Sequence, residues 1–180
     1  MHEIETKILE VDGTDIRNKL LALGAGLLQD TRLTVDWYGT SAGINEQPWF
    51  LRVRTTREGK TEITWKSLPV MVGNTRQSKE INVKVSDFEK TKAFFEAVGL
   101  VHYAHQEKDR TSWQYQQWQF DLDQYPGMPA YLEIEGSSVG HIAEAIKLLN
   151  LQNYESVSEG ERKLIENRYH LNWTHMQFNS

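Results

Sequence analysis

Two carboxylates and an ammonium occupy alternate positions at the start of the chain: Glu3, Glu5 and Lys7, interleaved with Ile4, Thr6 and Ile8. On a strand, side chains two residues apart share a face, so these three form one charged row. Similar rows recur downstream. Arg52 and Arg54 share a face while Leu51 and Val53 take the other, and Glu62, Thr64 and Lys66 alternate with Ile63 and Trp65. Glu80, Asn82 and Lys84 alternate with Ile81, Val83 and Val85; Lys108 shares a face with Arg110, Asp121 with Asp123, and Glu133 with Glu135.

Any one of these strands, taken alone, reads as a half-solvated strand with its charges in water. Like charges side by side repel, however, and Glu-x-Glu or Asp-x-Asp without an intervening cation calls for an external neutraliser. Carboxylate oxygens in that arrangement suit a hard divalent cation, Mg²⁺ or Mn²⁺. Arg-x-Arg and Lys-x-Arg have the opposite need, an anion with several oxygens such as a phosphate chain. A metal and a polyphosphate together satisfy both sets. That requires the charged faces to turn inwards, around the polar lumen of a closed barrel of about eight strands. Ile4, Ile8, Leu51, Val53, Ile63, Trp65, Ile81, Val83, Leu132 and Ile134 then pack outwards under helices.

The elements that must position these rows are legible. Residues 14–23 read as a helix, with Thr14 as N-cap, a stripe at Ile16, Leu20 and Leu23, and Gly24 as its stop. Residues 29–39 read as a strand, 48–67 as a hairpin turning at "REGK", and 77–85 as a further strand. Residues 86–100 form a capped helix, with Ser86 as N-cap and Glu89 closing a capping box. Three strand-like runs follow, then a helix over 138–151 and an amphipathic helical tail from Val157 on. The expected fold is α+β, an antiparallel closed barrel with helices packed outside, in a single domain spanning 1–180.

Composition narrows the field. There is no Cys, which excludes disulfides, thiolate metal sites and cysteine nucleophiles. No apolar run approaches membrane-spanning length and no basic-then-apolar leader opens the chain, so a cytoplasmic protein without a membrane partner is expected. A net charge of −5 argues against a broad nucleic-acid surface, though not against a local basic cavity.

These ordered rows resemble the CYTH superfamily, named after class IV adenylyl cyclases and thiamine triphosphatases and also called triphosphate tunnel metalloenzymes. The signature Glu-x-Glu-x-Lys stands here as Glu3, Glu5 and Lys7, and "DWY", "LRVR", "TWK", "KE", "EKDR", "FDLD" and "YLEIEG" follow in the family's order over residues 2–150. The resemblance implies a tunnel that binds a triphosphate and one or two divalent metals. Glu3, Glu5, Glu80, Asp121, Asp123, Glu133 and Glu135 are the implied metal ligands, with the choice between the two aspartates open. Lys7, Arg52, Arg54, Lys66, Lys108 and Arg110 are the implied substrate ligands, and Glu5, Glu80 and Lys66 are assigned the catalytic roles. Glu62 and Lys84 share these faces and are given a structural salt-bridge role. Family analogy also suggests a homodimer.

Where many members end in a short tyrosine-containing lid, this tail is longer. Lys163, Arg168 and Tyr169 are lid candidates whose surface-helix reading is preferred. His102 and His105 read as exposed loop or edge residues. Trp113, Trp118 and Trp173 read as packing residues before ring-stacking ones. Hydrolysis of inorganic triphosphate, thiamine triphosphate or a nucleoside triphosphate asks least of the cradle. The alternative, a class IV adenylyl cyclase, also needs an adenine pocket, and simple binding would be expected to lack some of the acidic ligands.

Overall fold

The charged rows belong to strands that pair in a ring. The computed structural model describes residues 2–42, 47–72 and 75–179, with the backbone alone at 2, 3, 72, 75 and 76. Strand β1 (His2–Ile8) pairs antiparallel with β9 (Tyr131–Gly136) on one edge and with β6 (Thr75–Val85) on the other. From β9 the order runs through β8 (Trp118–Gln124), β7 (Val101–Tyr115), β2 (Gly26–Gly39), β3 (Trp49–Thr56) and β4 (Thr61–Ser67) to β6, closing a ring of 8 antiparallel strands. Three short strands lie off the ring: β5 (Val70–Val72) beside β6, β10 (Ser156–Val157) beside β1, and β11 (His175–Met176) parallel to β7.

Register decides which side chains face in. Lys7 lies opposite Glu133 and Glu5 opposite Glu135, Asp121 opposite Glu133, and Lys66 opposite Glu80. The alternate residues point outwards. Ile8, Phe120, Leu122, Leu132 and Ile134 pack there against Ile16 and Leu20 of α1 (Gly13–Ala22) and Ile142 and Ala145 of α3 (Val139–Leu148). Each fully buried Ile or Leu contributes about 1.5–3 kcal/mol, so this outer layer rather than the lumen stabilises the barrel.

Both helices expected near residues 14 and 86 form, but their caps are other residues than those expected. Asp12 accepts from Thr14 N at 2.8 Å and Asp15 N at 3.1 Å, and Asp87 accepts from Lys90 N at 2.9 Å to open α2 (Phe88–Ala97). A carboxylate serves the helix N-terminus better than a hydroxyl because the helix dipole adds to the hydrogen bond. Gly24 and Gly99, at φ 75° and 89°, end α1 and α2.

Helix α2 covers β2 and β3, with Phe95 against Tyr38 and Val53. It is also held electrostatically. Asp36 is fully buried, with His105 Nδ1 at 2.6 Å and His102 Nε2 at 3.1 Å from one carboxylate oxygen, and Lys92 Nζ at 2.9 Å from the other. His102 and His105 therefore lie on a strand as partners of a buried acid, His102 exposed as expected and His105 half-buried. Burial alone would raise the Asp36 pKa, but Lys92 and His105 outweigh it and lower it. By contrast Ile81 and Val83, expected under a helix, are 48% and 50% exposed: the α2 cluster reaches Ile63 of β4 but does not include these two β6 residues.

The tail departs from the expected amphipathic helix. It is helical only over α4 (Glu161–Lys163) and a five-residue π-helical continuation, Leu164–Arg168. Leu164, Ile165, Trp173 and Met176 bury themselves against Leu9, Ala104, Tyr125, Met128 and Tyr131, so the segment crosses the barrel instead of lying along its surface. Among the described residues no helix is long and apolar enough to cross a membrane.

Candidate active site

The lumen holds a cavity of about 380 Å³. From β1 come Glu5 and Lys7; from β3, Phe50, Arg52 and Arg54; from β4, Glu62, Thr64 and Lys66; from β6, Glu80 and Asn82. The opposite wall supplies Arg110, Gln119, Asp121, Glu133 and Glu135, while Trp37, Glu161, Arg162 and Trp173 complete it. Two expected ligands are placed otherwise. Lys108 and Asp123, 2% and 0% exposed, do not line it; they are joined to each other at 2.8 Å. Of the two aspartates, Asp121 is the one that reaches the cavity. The Glu3 side chain lies outside the described residues.

The charges are woven into a network. Lys7 Nζ lies 2.7 Å from Glu133 and 3.3 Å from Glu5, and Lys66 Nζ lies 3.1 Å from Glu80 and 3.7 Å from Glu5. Glu5 thus bridges two lysines on different strands. Arg110 faces Asp121 at 2.6 Å and grips both oxygens of Asp123 at 2.6 Å. Its second contact is bidentate, the strongest geometry open to a guanidinium.

Titration follows this network. Burial would push Glu133 up, but Lys7 and Arg110 outweigh it and hold the carboxyl far below its ordinary range. Glu80 behaves alike: burial opposes its charge, Arg52 and Lys66 favour it more, and its pKa falls to about 2. Asp121 moves the other way, raised by burial with Asp123 and Glu133 adding to it against Arg110. Arg54 is lowered by burial and by the neighbouring guanidiniums of Arg52 and Arg110, despite its 2.8 Å ion pair with Glu62. Arg52 has a buried Nε without a hydrogen-bond partner among the described residues and rests 5.4 Å from the Trp37 ring centroid.

The tail supplies groups that the sequence reading did not anticipate. Glu161 accepts from Lys108 at 2.6 Å, Tyr131 at 2.9 Å and Tyr125 at 3.0 Å. Tyr131 was discoverable, since it precedes Glu133 and Glu135 at the same two-residue spacing; Glu161 carries no such local signal. The lid candidates lie elsewhere: Arg168 pairs with Glu155 at 2.7 Å, Tyr169 bonds Glu10, and Lys163 is exposed. Trp113 and Trp118 pack in the outer core, whereas Trp173, 3% exposed, borders the cavity with Arg162 over its ring.

The carboxylates of Glu5, Glu80, Asp121, Glu133 and Glu135 offer oxygen donors, the kind preferred by Mg²⁺ or Mn²⁺. Among the described residues no three His, Asp or Glu are gathered as a ready cage. Lys7 and Lys66 instead hold oxygens of Glu5, Glu133 and Glu80.

Comparison with known proteins places this geometry. The chain superposes on the PH1012 protein of Pyrococcus horikoshii OT3 with a TM-score of 0.71 at 23% identity, over 85% of this chain and 94% of that one. It is similar to an adenylate cyclase candidate from Vibrio parahaemolyticus, with a TM-score of 0.67 at 15% identity over 100% and 95% of the two chains. A third likeness is to an adenylyl cyclase candidate from Hippeastrum that reveals a dominant triphosphatase activity, with a TM-score of 0.68 at 16% identity over 94% and 97%. No curated protein sequence matches the chain. At these identities the structures speak for the fold alone, but the CYTH domain model matches residues 1–163. The chain therefore belongs to the CYTH domain family.

Proposed function

We propose that the protein is a divalent-metal-dependent triphosphatase acting on a triphosphate held in the barrel lumen. The observation that carries this reading is the crowding of Arg52, Arg54 and Arg110: burial and its two neighbours disfavour the charge of Arg54, and Glu62 only partly offsets them. A polyanion among them relieves that repulsion. Arg52, Arg54, Lys66 and Lys7 bind and orient the phosphate oxygens, and their fixed positions supply charge stabilisation without reorganisation.

Glu5, Glu80, Asp121, Glu133 and Glu135 offer the oxygens for Mg²⁺ or Mn²⁺, which when bound neutralises phosphate charge and acidifies water. Thr64 is the only hydroxyl side chain among the described residues lining the cavity, and it donates to Asn82 at 2.8 Å, so water rather than a protein group serves as nucleophile. Hydrolysis is preferred over cyclisation because it needs only the charged cradle and no adenine pocket.

The test is to incubate the protein with inorganic triphosphate, thiamine triphosphate and ATP, each with Mg²⁺ or Mn²⁺, and to separate the products. Release of orthophosphate is expected. Cyclic AMP and pyrophosphate from ATP would overturn the reading.

A further inference from the structure

Two neutral residues stand among the charges of one wall. The row on β4 is Glu62, Thr64 and Lys66, and the row on β6 is Glu80, Asn82 and Lys84. In register, Lys66 faces Glu80, Thr64 faces Asn82 and Glu62 faces Lys84. Thr64 Oγ1 donates to Asn82 Oδ1 at 2.8 Å, and Asn82 Nδ2 donates to Glu80 Oε1 at 2.9 Å. Lys66 Nζ lies 3.1 Å from the other oxygen, Glu80 Oε2. Hydroxyl, amide and carboxylate thus form one chain.

Chemistry fixes the direction of that chain. Glu80, ion-paired with Lys66, is a carboxylate and only accepts, so the Asn82 amide turns its NH₂ to Glu80 and its oxygen to Thr64. An amide oxygen only accepts in turn, so Thr64 must be the donor. Thr64 is 1% exposed, which keeps its hydroxyl from exchanging this partner for bulk water. Glu62, its neighbour two residues back, does not compete, because Arg54 engages it at 2.8 Å.

The two donors to Glu80 have different duties. Lys66 is shared with Glu5, at 3.7 Å, and in the function proposed above it also holds phosphate oxygens. Asn82 is anchored from behind by Thr64 and stays with Glu80 when Lys66 turns to the substrate. One lone pair on each Glu80 oxygen remains beyond these two donors.

We propose that Thr64 and Asn82 are positioning residues, holding Glu80 in the orientation in which it ligates a divalent cation. This rests on the reading of Glu80 as a metal ligand. Mn²⁺ alone, titrated into the protein and followed by the paramagnetic resonance of the free ion, tests it. Thr64→Val keeps the shape and loses the donor, and Asn82→Leu removes the amide. Each is expected to weaken Mn²⁺ binding about tenfold, as losses behind a metal ligand commonly do. Thr64→Ser keeps the hydroxyl and binds like the wild type. In a Glu80→Gln background, itself weakened, Thr64→Val costs nothing more, because it acts only through Glu80. Triphosphate titrated in EDTA binds the Thr64→Val and Asn82→Leu variants as it binds the wild type, which reports an intact lumen.

Wild-type Mn²⁺ affinity in Thr64→Val and Asn82→Leu would overturn the proposal. So would a loss that Thr64→Ser shares, or one that adds in full to that of Glu80→Gln. Triphosphate weakened alongside Mn²⁺ would reveal damage to the whole lumen and overturn it as well. Wild-type Mn²⁺ affinity in Glu80→Gln would instead remove Glu80 from the metal ligands, and this inference with it.

Discussion

Glu161 Oε1 lies 2.6 Å from Lys108 Nζ, and this contact fastens the C-terminal segment to the buried wall of the barrel. Burial opposes the charge of Glu161, but Lys108, Lys7 and Arg110 outweigh it and hold the carboxyl well below its ordinary range. Tyr125 and Tyr131 donate to the same group, and burial pushes both phenols well up, so they remain neutral donors.

Glu161→Ala therefore leaves Lys108 with Asp123 as its remaining acidic partner and removes the acceptor of two buried hydroxyls. The expected loss is about 3 kcal/mol of unfolding free energy, as for other buried ion pairs broken from one side. Urea denaturation checks it. A midpoint equal to the wild type would mean that the tail docks through Leu164, Ile165 and Trp173 alone.

At the other side of the lumen, Glu133→Gln and Glu5→Gln are expected to abolish turnover with Mg²⁺ or Mn²⁺ while the barrel persists. Each variant leaves Lys7 a carboxylate partner, Glu5 at 3.3 Å or Glu133 at 2.7 Å. Phosphate release at saturating metal, with circular dichroism on the same samples, separates lost chemistry from lost fold. Full activity in both variants would sink the metal assignment.

The contrast between these residues shows what a sequence can carry. Glu5 and Glu133 were legible because a strand repeats every two residues, and charged rows on seven strands, five of them with like-charge pairs, make sense together around a lumen. That logic recovers direction but not depth. Lys108 and Asp123 have the parity of Arg110 and Asp121, yet their charges are taken up by each other, by Arg110 and by Glu161, and they do not line the cavity. Glu161 had no parity to reveal it, since it reaches the lumen through a three-residue helix held by contacts distant in sequence. The same limit explains the tail, whose local periodicity suggested a surface helix while Trp173 and Met176 follow the barrel's apolar end.

Arg54→Ala and Lys66→Ala should raise the Kd for triphosphate by about tenfold or more, since a hydrogen bond to a charged group is worth about 1.5–3 kcal/mol. Both residues line the cavity and neither is fully buried, so folding tolerates their loss better than it would the loss of Arg110. Titration calorimetry would measure it. Unaltered binding in both variants would mean that the phosphates are held elsewhere in the lumen.

The pH dependence of stability follows from Glu80. Burial raises its pKa, but Arg52 and Lys66, with Asn82 donating at 2.9 Å, lower it to about 2 from an ordinary 4.5. As acid is added, the unfolded chain takes up this proton first, while the native carboxylate stays charged. The stability Glu80 contributes is therefore complete above about pH 4.5 and drains away between there and about pH 2. Removing the cation should flatten this slope: Lys66→Met leaves Glu80 nearer its ordinary value, so less stability remains to be lost on acidification. Urea midpoints for wild type and Lys66→Met, compared from neutral pH down to about pH 2, test the linkage. Parallel curves would show that Lys66 does not set the titration of Glu80, leaving Arg52 as the cation that does.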